Sequence, residues 1–191
     1  MGNDVDNEAQ TRDQTALIAK VRRWLQEVVI GYNFCPFAQR EFDAGRVRYR
    51  VFDGRKSKGA IAALLDELHF LDEHADIETT LLILADGWRD FYDYLALLDT
   101  AQQALDDAGY EGVYQLASFH PDYVFADEAV DDASNYTNRS PLPLLHLLRE
   151  SSIDRAITSD PNVDQIPERN KQLARAKGAG FWRSLLATID S

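Results

Sequence analysis

Apolar positions recur along the chain with two different periods, one typical of helices and one typical of strands. Between residues 17 and 28 they recur every three or four positions, which predicts an amphipathic helix that ends near Gly31. The stretch "RVRYRVF", residues 46–52, instead alternates between arginine and apolar residues, as expected for a half-buried strand. The continuous apolar run "TTLLILA", residues 79–85, predicts a second strand that is covered on both faces.

Four further helices and one further strand follow from the same patterns. Apolar residues from Ile61 to Leu71 predict a helix between the first two strands, and the helix after the second strand ends at Gly109. "GVYQLASF", residues 112–119, is interpreted as the third strand. Residues 143–157 are interpreted as a fourth helix, and Pro167 marks the start of a fifth.

The order strand, helix, strand, helix, strand is typical of parallel strands joined by crossover helices. We therefore expect an α/β fold with a small, mainly parallel sheet of three to four strands and flanking helices. Residues 123–125 could add an antiparallel strand. The pattern indicates a single domain over residues 13–191, preceded by a disordered tail at residues 1–12.

The charge and the cysteine content limit which binding partners and which cellular compartment we expect. Asp and Glu number 32 against 20 Lys and Arg, so the formal net charge is −12, and nucleic acid and membrane surfaces are not expected as partners. The acidic N-terminal segment lacks the apolar core of a signal peptide, and no apolar run reaches membrane-spanning length. With one cysteine there is no internal disulfide, and we expect a cytoplasmic protein.

The segments that follow the three strands are the predicted functional region. In open α/β sheets ligands bind beyond the carboxyl ends of the strands, and here those ends lead into residues 53–56, 86–89 and 120–123. All three segments are polar or charged. The third begins a connection at residues 118–141 that is far longer than the roughly 4 to 6 residues typical of compact domains.

The long loop supplies candidate acid–base residues. His120 follows the third strand directly and would act as a general acid or base if Asp122 or Asp132 oriented it, with Tyr123 orienting the histidine or the ligand. The alternative is that His120 bonds a backbone carbonyl and fixes the His-Pro turn. His146, between leucines at helical spacing, is interpreted as a packed side chain.

The same loop supplies a candidate anion clamp. Arg139 precedes the predicted fourth helix, whose N-terminus would attract an anion, and Asn135 and Asn138 could add hydrogen bonds. The alternative is that Ser140 caps that helix and Arg139 pairs with one of the many neighbouring carboxylates. No dinucleotide, nucleoside-triphosphate or zinc motif is present, so no cofactor is assigned, and the sequence does not address the oligomeric state.

Two other features allow more than one interpretation. Cys35 is surrounded by aromatic neighbours after a helix C-terminus, which favours a buried, inert thiol, and thiol chemistry is the alternative. Arg46, Arg48 and Arg50 form a row on the first strand. The row either is the solvated face of an edge strand or binds an anion or a protein partner.

Four stretches closely resemble a bacterial family known as domain of unknown function 1415: "NFCPFA", "LASFHPDYVFAD", "DDASNYTNRSPLPLLHLLRE" and "IPERN". The resemblance covers residues 22–178 and implies a domain boundary but no activity. Members of the family often have His-Pro after the second strand, where this chain has Ala85-Asp86. The resemblance therefore supports no chemistry that needs a histidine at that strand end.

These observations lead to a first hypothesis and two alternatives. The first is an enzyme or binding protein for a small anionic metabolite at the strand carboxyl ends, with His120 and Asp132 as catalytic residues. Its ligand-binding residues would be Asp122, Tyr123, Asn135, Asn138 and Arg139. The alternatives are a non-enzymatic protein-interaction module and thiol chemistry at Cys35.

Overall fold

Four strands form one sheet in the computed structural model, which describes residues 2–159 and 162–190. The strands are β1 (Val47–Phe52), β2 (Thr79–Leu84), β3 (Tyr114–Phe119) and β4 (Leu144–Arg149). They lie in the order β1-β2-β4-β3, with β1 parallel to β2 and β4 antiparallel to both of its neighbours. The α/β class with flanking helices is confirmed. The prediction of a mainly parallel sheet is wrong, because the sheet is mixed.

The difference arises at residues 143–157, where the sequence pattern predicts one helix. They instead form β4 followed by α5 (Glu150–Ser159). β4 lies between β2 and β3, and its side chains enter hydrophobic cores on both faces of the sheet, so the alternation that marks a half-exposed strand is lost. A run of leucines broken by one histidine then fits the helical period as well as a buried strand. No strand forms at residues 123–125 in this described part of the loop.

Helices account for most of the remaining described chain. The α-helices besides α5 are α1 (Gly2–Trp24), α2 (Ala38–Asp43), α3 (Ser57–Glu73), α4 (Phe91–Asp107), α6 (Ile166–Lys177) and α7 (Ala179–Asp190). A π-helical turn at Leu25–Ile30 continues α1, and short 3₁₀ helices lie at Ala133–Thr137 and Val163–Gln165. The sequence correctly predicts the helices between the strands and the start of α6 near Pro167.

The helices cover the sheet on both faces and create two hydrophobic cores. On one face α3 and α4 pack against side chains of β2 and β4 such as Leu82 and Leu145. On the other face the end of α1, the π-helical turn and α7 pack against Leu81 and Leu144. Alternate residues of the central strands thus enter opposite cores, which explains why β2 is buried along its whole length.

The arginine row of β1 does not form an open basic surface. Arg48 forms two hydrogen bonds to the Glu67 carboxylate of α3, from Nε at 2.6 Å and from Nη2 at 3.0 Å. Glu67 is buried, and Arg50 lies 3.9 Å from the same carboxylate. Arg46 pairs instead with Glu41 and Glu78, and the Arg50 side chain is about half exposed. The row is therefore largely paired with carboxylates, rather than being the solvated face that the sequence favours.

For residues 2–12 only the backbone is described, as the first turns of α1, and Met1 lies outside the described residues. The disordered tail predicted at residues 1–12 and the division into a single domain stay predictions. No described helix is both long enough and apolar enough to cross a membrane.

Candidate functional site

The three strand exits named from the sequence meet at one edge of the sheet. Because β3 runs in the same direction as β1 and β2, with β4 between, its carboxyl end lies at the edge where theirs lie. The Phe52 and Trp88 rings are 6.1 Å apart, and His120 Nε2 is 2.9 Å from the Trp88 carbonyl oxygen. The prediction that the three strand exits lie together is thus correct, and ligand binding at this edge stays a prediction.

His120 is fully buried and both of its ring nitrogens are hydrogen-bonded to the backbone. Nε2 donates to the Trp88 carbonyl, and Nδ1 accepts from the Asp122 N–H at 3.0 Å. Burial lowers the pKa of His120, which favours the neutral ring that this bonding pattern requires. The histidine therefore joins the turn after β3 to Trp88, a residue with a positive φ of 46°. Neither ring nitrogen of His120 is left free for proton transfer.

The Arg139 guanidinium is also bonded within the loop. Its Nε donates to the Tyr123 carbonyl at 3.2 Å, its Nη2 donates to the Val130 carbonyl at 3.0 Å, and it stacks over the Tyr136 ring at 4.4 Å. No α-helix begins directly after Arg139, because the next element is β4. The expected attraction of an anion to a helix N-terminus at this point is therefore wrong.

Two asparagines hold other parts of the loop together. Asn135 is fully buried; its Nδ2 donates to the Ala129 carbonyl at 2.8 Å and its Oδ1 accepts from the Phe125 N–H at 3.0 Å. Asn138 Nδ2 donates to the Ser118 carbonyl at 3.2 Å, at the other end of the loop. The polar side chains thus give residues 118–141 a defined shape, which accounts for much of their polarity without a ligand.

The remaining candidates of the loop contact different partners. Asp132 caps the 3₁₀ helix and accepts from Arg175 Nε of α6 at 3.0 Å. The hydrogen bonds from Ser134 and Arg175 lower the pKa of Asp132 to about 2. The Tyr123 ring packs against aromatic rings of α4 and the loop, whereas the Asp122 side chain is exposed. Asp132 therefore does not orient His120, whose ring bonds only backbone groups.

A cavity of about 660 Å³ lies elsewhere, between the sheet and the helices on the α1 side. The π-helical turn, residues 35–41 and α5 enclose it above the surface of the sheet. Its apolar walls include Trp24, Val29, Phe37, Leu81, Ala117 and Phe119. None of the site residues predicted from the loop lines it. Its size falls in the range of about 300 to 1,000 Å³ that is usual for small-molecule sites.

His146 lies in the wall of this cavity, on the central strand β4. Its Nε2 is 2.8 Å from Thr79 Oγ1, which donates its own proton to the Leu147 carbonyl at 2.5 Å. Thr79 can then only accept from the histidine, so Nε2 carries the ring proton and Nδ1 has a free lone pair. Burial lowers the pKa of His146 to about 4, so the ring is neutral near pH 7.

Cys35, the single cysteine, lines the same cavity. Burial raises the pKa of its thiol, although backbone hydrogen bonds at Phe37 and Ala38 act in the opposite direction. The thiol is thus poorly suited to form the thiolate that nucleophilic chemistry requires. Its position on the α1 side places it in a ligand-sized space, which the sequence does not indicate.

A family model described as a protein of unknown function (DUF1415) matches residues 16–184. The chain belongs to the DUF1415 family. The resemblance seen in the sequence is therefore confirmed over nearly the whole chain. Neither the curated proteins nor the solved structures include a match to it.

The mouth of the cavity in this DUF1415 chain carries a network of ion pairs. Arg46 contacts both Glu41 and Glu78 at 2.6 Å. Arg155 lies 3.1 Å from Glu78 and Arg40 lies 3.7 Å from Glu41, and both of these arginine side chains are largely exposed. Three arginines thus face two glutamates among the charged lining residues. The mouth has an excess of positive charge, in a chain whose formal net charge is −12.

The cavity of this DUF1415 chain has no clear signature in the sequence. Its lining comes from segments far apart in the chain, and most of the lining side chains are apolar, so they look like ordinary core residues. One local signal was available. His146 is the only polar residue within the run of leucines at residues 144–148, and a polar residue on a buried strand requires a partner.

Proposed function

We propose that this protein binds a small, mainly apolar molecule in the cavity between the sheet and the π-helical turn. The observation that carries the proposal is the cavity of about 660 Å³ with apolar walls. Few polar groups enter the interior, and those that do, such as His146 and Thr79, have fixed positions on the sheet. Sites for small ligands commonly combine an apolar surface with a few polar groups that fix orientation.

The charge at the mouth favours a ligand whose exposed end is neutral or negative. Arg40 and Arg155 are the exposed cations there, and the carboxylates that they contact, Glu41 and Glu78, are also paired with Arg46. A positively charged group at the mouth would meet these arginines and be repelled. We therefore keep one part of the expectation of a small anionic ligand: a negatively charged group of the ligand would lie at this mouth.

The site first expected at the strand carboxyl ends is supported less well by the geometry. Its acid–base candidate, His120, has both ring nitrogens bonded to backbone groups, and Arg139 bonds two loop carbonyls. A ligand would have to displace these internal bonds, each worth about 1 kcal/mol. We therefore favour a role for both side chains in shaping the loop.

The other two hypotheses also have weaker support. A protein-interaction surface on the β1 arginines would have to compete with the Glu67 carboxylate, which Arg48 already binds through two hydrogen bonds. Thiol chemistry would require ionisation of Cys35, whose thiol pKa is raised by burial. The position of Cys35 makes it a useful reporter of cavity occupancy instead.

Titration with 8-anilinonaphthalene-1-sulfonate, an apolar fluorophore with one negative charge, tests the proposal. We expect saturable binding at one site, with amide chemical shifts that change at Leu81 and Ala117 in the cavity and not at Ala101 of α4, on the other face of the sheet. The absence of saturable binding by this fluorophore and by uncharged aromatic compounds would contradict the proposal, as would shifts confined to α3 and α4.

A further inference from the structure

We propose that the ligand of the cavity carries a hydroxyl or N–H group, which donates a hydrogen bond to Nδ1 of His146. This inference rests on the proposed function and specifies the class of ligand. It selects apolar molecules with a hydrogen-bond donor on the part that enters the cavity, such as phenols, over hydrocarbons of the same shape. The residue that would make this selection is one that the sequence alone assigns to packing.

The hydrogen bonds around His146 determine which nitrogen the ligand would meet. Thr79 Oγ1 has one proton, and the Leu147 carbonyl accepts it at 2.5 Å. The 2.8 Å contact between Thr79 Oγ1 and His146 Nε2 then requires the proton of the ring to lie on Nε2. Nδ1 is left as an acceptor, and no described residue donates a hydrogen bond to it.

The surroundings of His146 make this acceptor costly to leave without a donor. In register with it on the neighbouring strands lie Leu81 of β2 and Ala117 of β3, two apolar side chains that also line the cavity. The charged residues of the lining pair with one another at the mouth. A ligand without a donor would bury Nδ1 against apolar atoms and lose the hydrogen bond, whereas a hydroxyl or N–H would satisfy it.

The backbone around His146 holds the acceptor in position. The residue is on the central strand of the sheet, paired with both neighbours, and its second nitrogen is fixed by Thr79. A rigid acceptor loses little entropy when a donor binds, so it can discriminate between two ligands of nearly equal shape. The fixed position of His146 therefore supports its selecting ligands that have a donor, which a mobile side chain would do less well.

Competitive displacement of 8-anilinonaphthalene-1-sulfonate by 2-naphthol and by naphthalene tests the inference on the full chain. We expect 2-naphthol to bind the wild-type protein about tenfold more tightly than naphthalene, as one hydrogen bond in a buried site allows. In His146→Leu the difference should disappear, with naphthalene affinity retained. In His146→Gln, where an amide oxygen can accept, part of the preference should return.

The outcomes separate the inference from the proposed function. Equal affinities of the two compounds for the wild-type protein would overturn the inference and leave the cavity as a binding site. A preference for 2-naphthol that persists in His146→Leu would also overturn it, because the donor would then have another partner. Binding of neither compound to the wild-type protein would overturn the inference and the proposed function together. The wild-type comparison alone decides the matter if the variants do not fold.

Discussion

His146 Nε2 and Thr79 Oγ1 lie 2.8 Å apart on the same face of the sheet, joined across the antiparallel pair of β4 and β2. This contact places the proton of the neutral imidazole on Nε2, in the wall of a largely apolar cavity. It also connects the stability of the protein to the proposed ligand site, because protonation of His146 is unfavourable in the folded state. Changes at this histidine should therefore affect both properties.

The pH dependence of stability should reflect the low pKa of His146. The folded pKa is about 4 against an ordinary value of 6.5, so between pH 6.5 and pH 4 the unfolded chain binds a proton that the folded chain does not. The free energy of unfolding should therefore fall on acidification across this window, by up to about 3 kcal/mol. Urea denaturation at several values of pH between 7 and 4.5 measures it.

The matched variant for this prediction is His146→Gln, which keeps a donor toward Thr79 and removes the titrating ring. Burial also lowers the pKa of His120, so the variant should still lose some stability in acid. The difference in unfolding free energy between wild type and variant should shrink as the pH falls from 7 to 4.5. Parallel pH profiles would show that His146 does not titrate as the structure implies.

The ion pair between Arg48 and Glu67 should contribute more to stability than exposed pairs do. Glu67→Gln leaves a partly buried guanidinium without its counter-charge, and we expect a loss of about 2 kcal/mol. The control is Glu27→Gln, which removes an exposed pair with Arg23 and should cost less than about 0.5 kcal/mol. Similar losses in the two variants, measured by urea denaturation, would contradict the structural role assigned to Glu67.

His120 should act as a structural residue of the loop. His120→Ala removes a fully buried ring and its bonds to Trp88 and Asp122, and we expect a loss of about 2 to 4 kcal/mol. Asp122→Ala keeps the backbone N–H that bonds the histidine and should change stability by less than about 0.5 kcal/mol. Neither variant should alter the affinity of the cavity for 2-naphthol. A loss of binding in a folded His120→Ala protein would return the site to the strand carboxyl ends.

Cys35 should react slowly with iodoacetamide near pH 7, because burial raises the pKa of its thiol. The rate should increase only in alkaline solution, and saturation with 2-naphthol should lower it further, since Cys35 lines the cavity. Urea-unfolded protein, with the same single thiol, provides the control for intrinsic reactivity. Rapid labelling of the native protein at pH 7 would support thiol chemistry instead.

The substitution Cys35→Ser should lower the free energy of unfolding by about 1 kcal/mol, because it introduces a poorly placed hydroxyl.

Local patterns predicted those elements whose environment is uniform along their length. β1 alternates because one of its faces meets the α1 side and the other meets α3, and β2 is buried throughout because helices cover both faces. Coverage of both faces also explains why the sequence pattern does not distinguish β4 from a helix. A strand inserted between two others and covered on both faces has no alternation, and residues 144–148 fit either period.

The loop and the cavity differ from the sequence prediction for another reason. Polar residues in a long connection can bind a ligand or bind one another, and the sequence does not distinguish the two. The structure uses Asn135, Arg139 and His120 for contacts within and beside the loop. The cavity depends on how far the π-helical turn and α5 stand from the sheet, which is a property of packing that no single segment encodes.

The most direct test of the proposed cavity site is the affinity for 2-naphthol in two matched variants. Ala117→Phe introduces a ring into the cavity wall on β3, and Ala96→Phe introduces the same ring at an exposed position of α4. With folding verified by circular dichroism, calorimetry should show affinity reduced at least tenfold in Ala117→Phe and unchanged in Ala96→Phe. Equal affinity in the wild-type protein and both variants would show that 2-naphthol binds outside the cavity, and the proposed function would be wrong.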